Sequence, residues 1–285
     1  MIQSMTGYGK SILQLPSKKI TIEIKSLNSK NLDLHARVPS SYREKELELR
    51  NQIAQSLSRG KVDFNLYIEV TGEATQTKVN QEVVTEYMKQ LQAVSEGDDI
   101  DLLKMAIRLP DALKTEREEI DPAEYEKIVS GVEEALAAIN EYRTDEGKTL
   151  ETDFHQRVTN IDSLLDQVVA MDPERVEHVK ERLHKAVSEI KETVDENRFE
   201  QELIYYLEKY DITEEKVRLK THLDYFKETL EKPVSNGKKL GFISQEIGRE
   251  INTIGSKANY APMQQLVVQM KDELEKIKEQ ALNVL

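Results

Sequence analysis

Gly237-Lys238-Lys239-Leu240-Gly241-Phe242-Ile243-Ser244-Gln245-Glu246-Ile247-Gly248-Arg249-Glu250-Ile251-Asn252-Thr253-Ile254-Gly255-Ser256-Lys257 is the stretch from which the rest of the chain can be read. Leu240, Ile243, Ile247, Ile251 and Ile254 recur at steps of 3, 4, 4 and 3, the spacing of one apolar stripe along an α-helix. Glu246 and Glu250 are four residues apart, so they share a face that borders the stripe, about 60–100° from its centre. Gln245, Arg249 and Asn252 fall on the far side. Two carboxylates so placed repel each other in a bare helix by a few tenths of a kcal/mol. Arg249, three residues after Glu246, gives local relief, and a divalent cation would give far more. The plainer reading is two solvated glutamates beside a core helix. The surroundings set this pair apart: Gln, Asn, Thr and Ser are interleaved, Lys238-Lys239 opens the helix, and glycines stand at 237, 241, 248 and 255. Glycine inside a helix costs about 1 kcal/mol against alanine, so a helix that repeats it needs close backbone approach or a bend.

The neighbouring segments are helical as well. Leu219, Leu223, Phe226 and Leu230 form a stripe before the loop at 232–237, and Asp211-Ile212-Thr213 is a turn with Thr213 as N-cap ahead of Glu214-Glu215. Phe199, Leu203, Tyr206 and Tyr210 form an earlier stripe. After a loop at 258–262, a last helix to about Asn283 buries Leu266, Met270, Leu274 and Ile277. Further upstream, residues 122–146 and 148–171 read as long helical stretches around Gly147, with Pro122 at a first helical position. Asp172-Pro173 reads as a cap and first-turn proline that start a new helix running to about Glu196. The periodicity is not a strict heptad, which predicts a long helical hairpin or arm rather than a two-stranded coiled coil.

The amino-terminal part differs. Ile20, Ile22 and Ile24 alternate with polar residues, as do Leu32, Leu34, Ala36 and Val38, and Val62, Phe64, Leu66, Ile68 and Val70. Alternation of this kind marks half-buried strands. A helix with Tyr42, Leu49, Ile53 and Leu57 in register precedes the last of them and stops at Arg59-Gly60-Lys61. The order β-β-β-α-β predicts a small sheet with a helix on one face. Asn80 caps a helix running to about Glu96, a short one follows over 101–108, and the acidic stretch 114–121 reads as a solvated connector. The fold class is therefore α+β: a small mixed sheet-and-helix domain over 1–150, a long helical connector or arm over 151–196, and an all-helical domain over 197–285 that carries the candidate site.

Composition narrows the chemistry. The chain has 285 residues, a net charge of −13 and no cysteine. Disulfides, thiolate catalysis and cysteine-ligated zinc are excluded. Met1 leads straight into polar sequence with no apolar run long enough for a leader or a membrane span, so a cytoplasmic protein is expected. The negative charge argues against indiscriminate nucleic-acid binding and leaves room for a local basic surface. There is no Walker loop, GxGxxG or GxSxG elbow. What remains is an arrangement repeated on three helices. Glu202 lies beside the Phe199–Leu203 stripe, His222 beside Leu219, Leu223 and Phe226, and Glu246 and Glu250 beside theirs. If the three helices pack together, these side chains meet at one edge of a shared core and make a hard-metal or general acid/base site. A histidine flanking an apolar face is otherwise a hydrogen-bonded packing residue, and Glu202 otherwise plain helix surface. Arg198, Arg218, Lys238, Lys239, Arg249 and Lys257 are the nearby cations, either phosphate contacts or ordinary salt-bridge partners. Lys25, Lys30, Arg59 and Lys61 offer a second basic surface.

Over nearly its full length the chain resembles the YicC/YloC family of bacterial endoribonucleases. The likeness is carried by Ser4-Met5-Thr6-Gly7-Tyr8-Gly9, Ser26-Leu27-Asn28-Ser29-Lys30, Arg59-Gly60-Lys61, Glu146-Gly147 and Glu196-Asn197-Arg198-Phe199-Glu200-Gln201-Glu202-Leu203. Arg218 with His222, and the 237–257 stretch, complete it. The resemblance implies metal-dependent RNA hydrolysis, a hexamer whose subunits surround the RNA, and a carboxyl-terminal domain holding Glu and His beside a metal. Three positions depart from the family pattern: Lys30 stands where relatives usually carry Arg, Gly241 where Asp is usual, and Gly248 where Asn is usual. The expected function is a cytoplasmic, homohexameric endoribonuclease using Mg²⁺ or Mn²⁺. Glu246, Glu250, His222 and Glu202 would serve the metal, Glu250, Glu246 and His222 catalysis, and the six cations RNA. The alternatives are a non-catalytic oligomeric RNA-binding scaffold or RNA-decay adaptor, and a helical assembly protein without nucleic acid.

Overall fold

The computed structural model describes residues 2–71, 77–95, 97–115, 120–189 and 196–285. Its first element set is a four-stranded sheet: β1 (Gly7–Gln14), β2 (Lys18–Leu27), β3 (Leu32–Arg37) and β4 (Gly60–Val70), in the order β1-β2-β4-β3. A 3₁₀ turn at Ser40–Lys45 and helix α1 (Glu46–Ser56) connect β3 to β4. These two strands are parallel, and a helix is the usual crossover for a parallel pair. The β2–β4 register is antiparallel and sets Ile20 opposite Ile68, Ile22 opposite Leu66 and Ile24 opposite Phe64. The alternation read from the sequence thus becomes one buried face, covered by Leu49 and Ile53 of α1 and by a much longer helix.

That helix is α4 (Pro122–Glu189), 68 residues and about 100 Å long. Between it and the sheet come a two-strand ribbon, β5 (Thr77–Val79) with β6 (Leu113–Thr115), and the helices α2 (Gln81–Val94) and α3 (Asp99–Ala106). The acidic connector expected at 114–121 overlaps β6, and Glu116, Glu118 and Glu119 lie outside the described residues. Asp121 caps α4, accepting from Ala123 N at 3.0 Å. The first third of α4, from Tyr125 to Ile139, closes the sheet core, and Phe154 to Val168 enter a second core.

The second core is a helical bundle of α4 with α6 (Thr213–Leu230), α7 (Gly237–Ala258) and α8 (Ala261–Ala281). The α7 stripe Leu240, Ile243, Ile247, Ile251 and Ile254 is wholly buried, as its spacing requires. Phe154 meets Phe226 edge-on at 5.8 Å. Helix α5 (Glu196–Lys209) folds back along the end of α4, with Phe199 against His184 and Arg175 donating to the Tyr210 carbonyl at 3.0 Å.

Two expected breaks in α4 are absent. Gly147 is there for contact: a Cβ would lie 2.0 Å from the Ile2 carbonyl oxygen. Pro173 sits inside the helix, although proline removes one helical bond and costs about 3 kcal/mol. Val168, Asp172, Arg175 and Val179 are buried around it, and that packing holds the helix through. Asp172 is a tie between helices, accepting from Arg175 Nε at 2.7 Å and from Lys216 Nζ of α6 at 2.6 Å. Likewise Thr213 is the first residue of α6 and not its cap; Ile212 stands at the cap, and Asp211 accepts from the Thr213 amide and hydroxyl.

The two cores are joined by more than α4. Residues 2–5 pair with the 282–285 segment: Ser4 bridges Val284, Met5 N donates to Asn283 O at 2.8 Å, and Leu285 N donates to Gln3 O at 2.9 Å. Gly237, at the start of α7, fits beneath this pairing, and a Cβ there would meet the Val284 oxygen at 2.3 Å.

Candidate functional site

Helices α6 and α7 run antiparallel, and contacts near their two ends set the register. Lys257 Nζ reaches Glu215 Oε1 at 2.7 Å, and Lys239 Nζ sits 4.6 Å over the Tyr225 ring. Between these contacts, His222 of α6 is level with Glu246 and Glu250 of α7. Side chains four apart on one helix, facing a helix of opposite direction, present a narrow strip of mixed acid and imidazole. The sequence predicts that three helices, α5 with α6 and α7, bring Glu202, His222, Glu246 and Glu250 to one edge of a shared core; the register concerns α6 and α7 alone.

Within the strip the two carboxylates differ. Glu246 is half-buried and accepts from Arg249 Nη1 with both oxygens, at 2.7 and 3.0 Å. Glu250 is only 8% exposed and has no hydrogen bond or ion pair among the described residues. It is held there because Ile247, Ile251 and Ile254 on either side are fully buried, which draws the adjoining face of α7 inward. A carboxylate is an acceptor in all its lone-pair directions, and the Glu250 oxygens, which are not among the buried unsatisfied atoms of the described residues, reach solvent at the rim of the helix face. His222 is half-buried and, among the described residues, also without a polar partner.

The remaining candidates are dispersed. Glu202 is exposed on α5, whose stripe packs on α4 rather than α7, so one chain does not bring it to Glu250. Helical arithmetic places a residue on its own helix but leaves open which neighbour covers the stripe. Arg218 is exposed and paired with Glu214, one turn earlier. Arg249 is taken by Glu246, Lys257 by Glu215, and Lys239 lies on Tyr225. The Arg198 side chain lies outside the described residues. Lys238 is exposed and, among the described residues, unpaired, and it faces a different place, a cleft of about 820 Å³ between the helical bundle and the sheet. Lys30 and Arg59 of the amino-terminal surface line the same cleft, as do Phe242 and Lys278. Sequence reasoning passed over Phe242, though its position off the α7 core stripe marks it as an outward-facing aromatic.

Among the described residues, no group of three or more His, Asp or Glu lies close enough to hold a metal ion. A small hard cation is still compatible with the donors present, because Mg²⁺ keeps several waters and uses one or two carboxylates together with substrate phosphates. Glu250, recessed and without a donor, is the carboxylate suited to this. Among the described residues, no helix is long and apolar enough to cross a membrane.

Comparison with known proteins bears on the whole chain. Residues 2–152 match the family described as endoribonuclease YicC-like, N-terminal region, and residues 168–285 match endoribonuclease YicC-like, C-terminal. A protein named probable endoribonuclease YicC from Clostridioides difficile (strain 630) is 33% identical over 293 residues, with both chains covered in full. One of the same name from Haemophilus influenzae (strain ATCC 51907 / DSM 11121 / KW20 / Rd) is 29% identical over 287 residues, again with full coverage of both.

Proposed function

Because the chain belongs to the YicC-like endoribonuclease family, we propose that it cuts RNA internally at the α6–α7 strip, with Glu250, Glu246 and His222 as the working groups. The observation that carries this reading is Glu250, a residue only 8% exposed whose carboxylate has no partner among the described residues, at the level of an imidazole likewise without one. A divalent cation, Mg²⁺ or Mn²⁺, would be held by Glu250 with help from Glu246, and it would supply charge neutralisation at the scissile phosphate and a more acidic water. His222 would take or give the proton at the attacking or leaving oxygen. Glu246, steadied by Arg249, would fix the orientation of the water on the exposed side of Glu250. Arg218, on the same side of α6 one turn from His222, would contact phosphate by exchanging its surface partner Glu214.

The working form in this reading is a ring of six chains around the RNA. Ile204, Tyr205 and Val217 support assembly, being large apolar side chains exposed by 56%, 57% and 63%. Glu202 would then reach a metal only from a neighbouring subunit. A substrate of RNA is consistent with a cytoplasmic protein.

The test is cleavage of an end-labelled RNA by the purified chain, with Mg²⁺ or Mn²⁺ and with EDTA, beside the Glu250→Gln variant. Metal-dependent products that vanish in the variant support the reading. Metal-dependent products at the wild-type rate in the variant remove Glu250 from the site. One observation favours a second reading, a non-catalytic RNA-binding scaffold or RNA-decay adaptor: among the described residues Glu246, Glu250 and His222 do not form a group that could hold a metal ion. RNA binding without products under any metal would establish it.

A further inference from the structure

The cleft between the sheet and the bundle is built from segments far apart in sequence. One wall is the β2–β3 loop with Lys30 and Asn31, together with Arg59 just before β4. The other is the first turn of α7 and the last turns of α8. Asn28 spans the two walls, donating from Nδ2 to the Leu282 carbonyl at 2.6 Å, so the opening is fixed by a direct bond as well as by the 282–285 pairing.

Its charge runs against that of the molecule. Lys30 and Lys238 have no ion-pair partner among the described residues, and Arg59 spends only its Nε, on the Ser29 carbonyl at 3.0 Å. Lys278 is offset by Glu275, and Glu279 is the remaining acid. Directly behind Arg59 lies Arg143, 2% exposed, which donates to the Arg59 carbonyl and has no carboxylate beside it. In a chain of net charge −13, three uncommitted cations backed by a buried fourth form a local basic pocket. Two large apolar side chains stand among them, Phe242 exposed by 58% and Leu282 by 67%. An aromatic ring beside cations is the combination that holds single-stranded nucleic acid, with phosphates on the cations and an unpaired base on the ring. A duplex keeps its bases stacked on each other and has none to give to Phe242.

We propose that this cleft is a second RNA-contact site, separate from the α6–α7 strip, that takes a short single-stranded stretch of the substrate with phosphates on Lys30, Arg59 and Lys238 and a base on Phe242. The proposal rests on the reading of the protein as one that acts on RNA. It implies that substrates carry an unpaired segment beside the cleavage point, gripped before the cut is made.

Binding is measured by fluorescence anisotropy on the full chain in EDTA, where no cleavage interferes. The probes are a labelled single-stranded RNA of about twelve nucleotides, within the usual span of such grooves, and the same strand annealed to its complement. Lys30→Glu with Lys238→Glu should weaken single-strand binding at least tenfold and flatten its salt dependence by about one contact or more. Phe242→Ala should weaken it about tenfold with the salt dependence unchanged, and Phe242→Tyr should bind like the wild type. Lys89→Glu with Lys104→Glu on α2 and α3 makes the same charge change elsewhere and should alter affinity far less. Wild-type affinity in the folded cleft variants overturns the proposal, as does equal binding of the duplex or failure of the wild type to bind the single strand. If such variants still cut RNA, the proposed function stands while the cleft falls. If binding depends on the cleft but no metal yields products, the cleft stands and the cleavage reading falls.

Discussion

Arg143, in the sheet region, and Glu250, in the helical region, are both mostly buried charged residues without an ion-pair partner among the described residues, and the protein treats them differently. Arg143 Nη2 is wrapped by oxygens: the Met5 carbonyl at 3.2 Å, the Ser26 hydroxyl at 2.5 Å and the Arg59 carbonyl at 3.4 Å. Only its Nε lacks an acceptor. These bonds tie the first residues, the end of β2 and the turn before β4 into one joint. Glu250 has no such shell. A buried charge dressed in local dipoles is part of the scaffold, whereas a carboxylate whose oxygens still meet solvent can exchange water for a ligand. The contrast separates a residue whose bonds hold the molecule together from one whose oxygens are free to take an outside ligand, as the proposed function requires.

The sharpest way to break this contrast is at Glu250. Glu250→Gln keeps shape and removes charge, so cleavage should fall about a thousandfold or more, while the melting temperature stays level or rises. A variant that melts markedly earlier would make Glu250 a structural ion like Arg143. His222→Ala should lower the single-turnover rate by about 10²–10⁴-fold with RNA affinity kept; an unchanged rate with earlier melting would return His222 to packing. Arg143→Met should do the reverse of Glu250→Gln. It leaves the Arg59 carbonyl and the Ser26 oxygen without their Arg143 donor and the Met5 carbonyl with the Ser26 hydroxyl alone, and denaturant unfolding should show a loss of about 3 kcal/mol.

Asp172 is a third case, a buried ion that is paired outright. Burial alone would raise its pKa, but hydrogen bonds from Lys216 and Arg175, and their charges, more than offset this and hold it below its ordinary 3.8. A carboxyl depressed in the folded state contributes stability that is complete above its unfolded pKa and is lost as pH falls through the folded value. Melting temperature should therefore drop on acidification below about pH 4. Asp172→Asn should cost about 2 kcal/mol at neutral pH and blunt the acid response; an identical pH profile in the variant would mean that other carboxylates set it.

How much was legible in the sequence follows the range of the forces. The strands at Ile20–Ile24 and Val62–Val70, and the α7 stripe, were readable because alternation and 3.6-residue spacing are local. The helix starts and stops read at Gly147, Asp172 and Pro173 were local signals too, but long-range packing overrode them, through the Ile2 carbonyl at Gly147 and Lys216 at Asp172. The ribbon of Thr77–Val79 with Leu113–Thr115 is too short to show alternation. At the site, the shared face of Glu246 and Glu250 came from spacing alone. That Glu202 stays with α4, and that Lys257 is bound by Glu215, depended on which helix covers which, and no local pattern records that.

Gly147 and Gly237 lie on opposite sides of the place where residues 2–5 meet 282–285, and each has a carbonyl oxygen where a side chain would begin. Any missense change in a glycine codon adds a Cβ, so neither position has a mild allele: alanine clashes nearly as soon as valine or aspartate does. Substitutions can accumulate on the surfaces of α2 and α3 one at a time. At this seam, as at Gly9 against the Ala135 carbonyl, a first mutation must move backbone before a second can compensate.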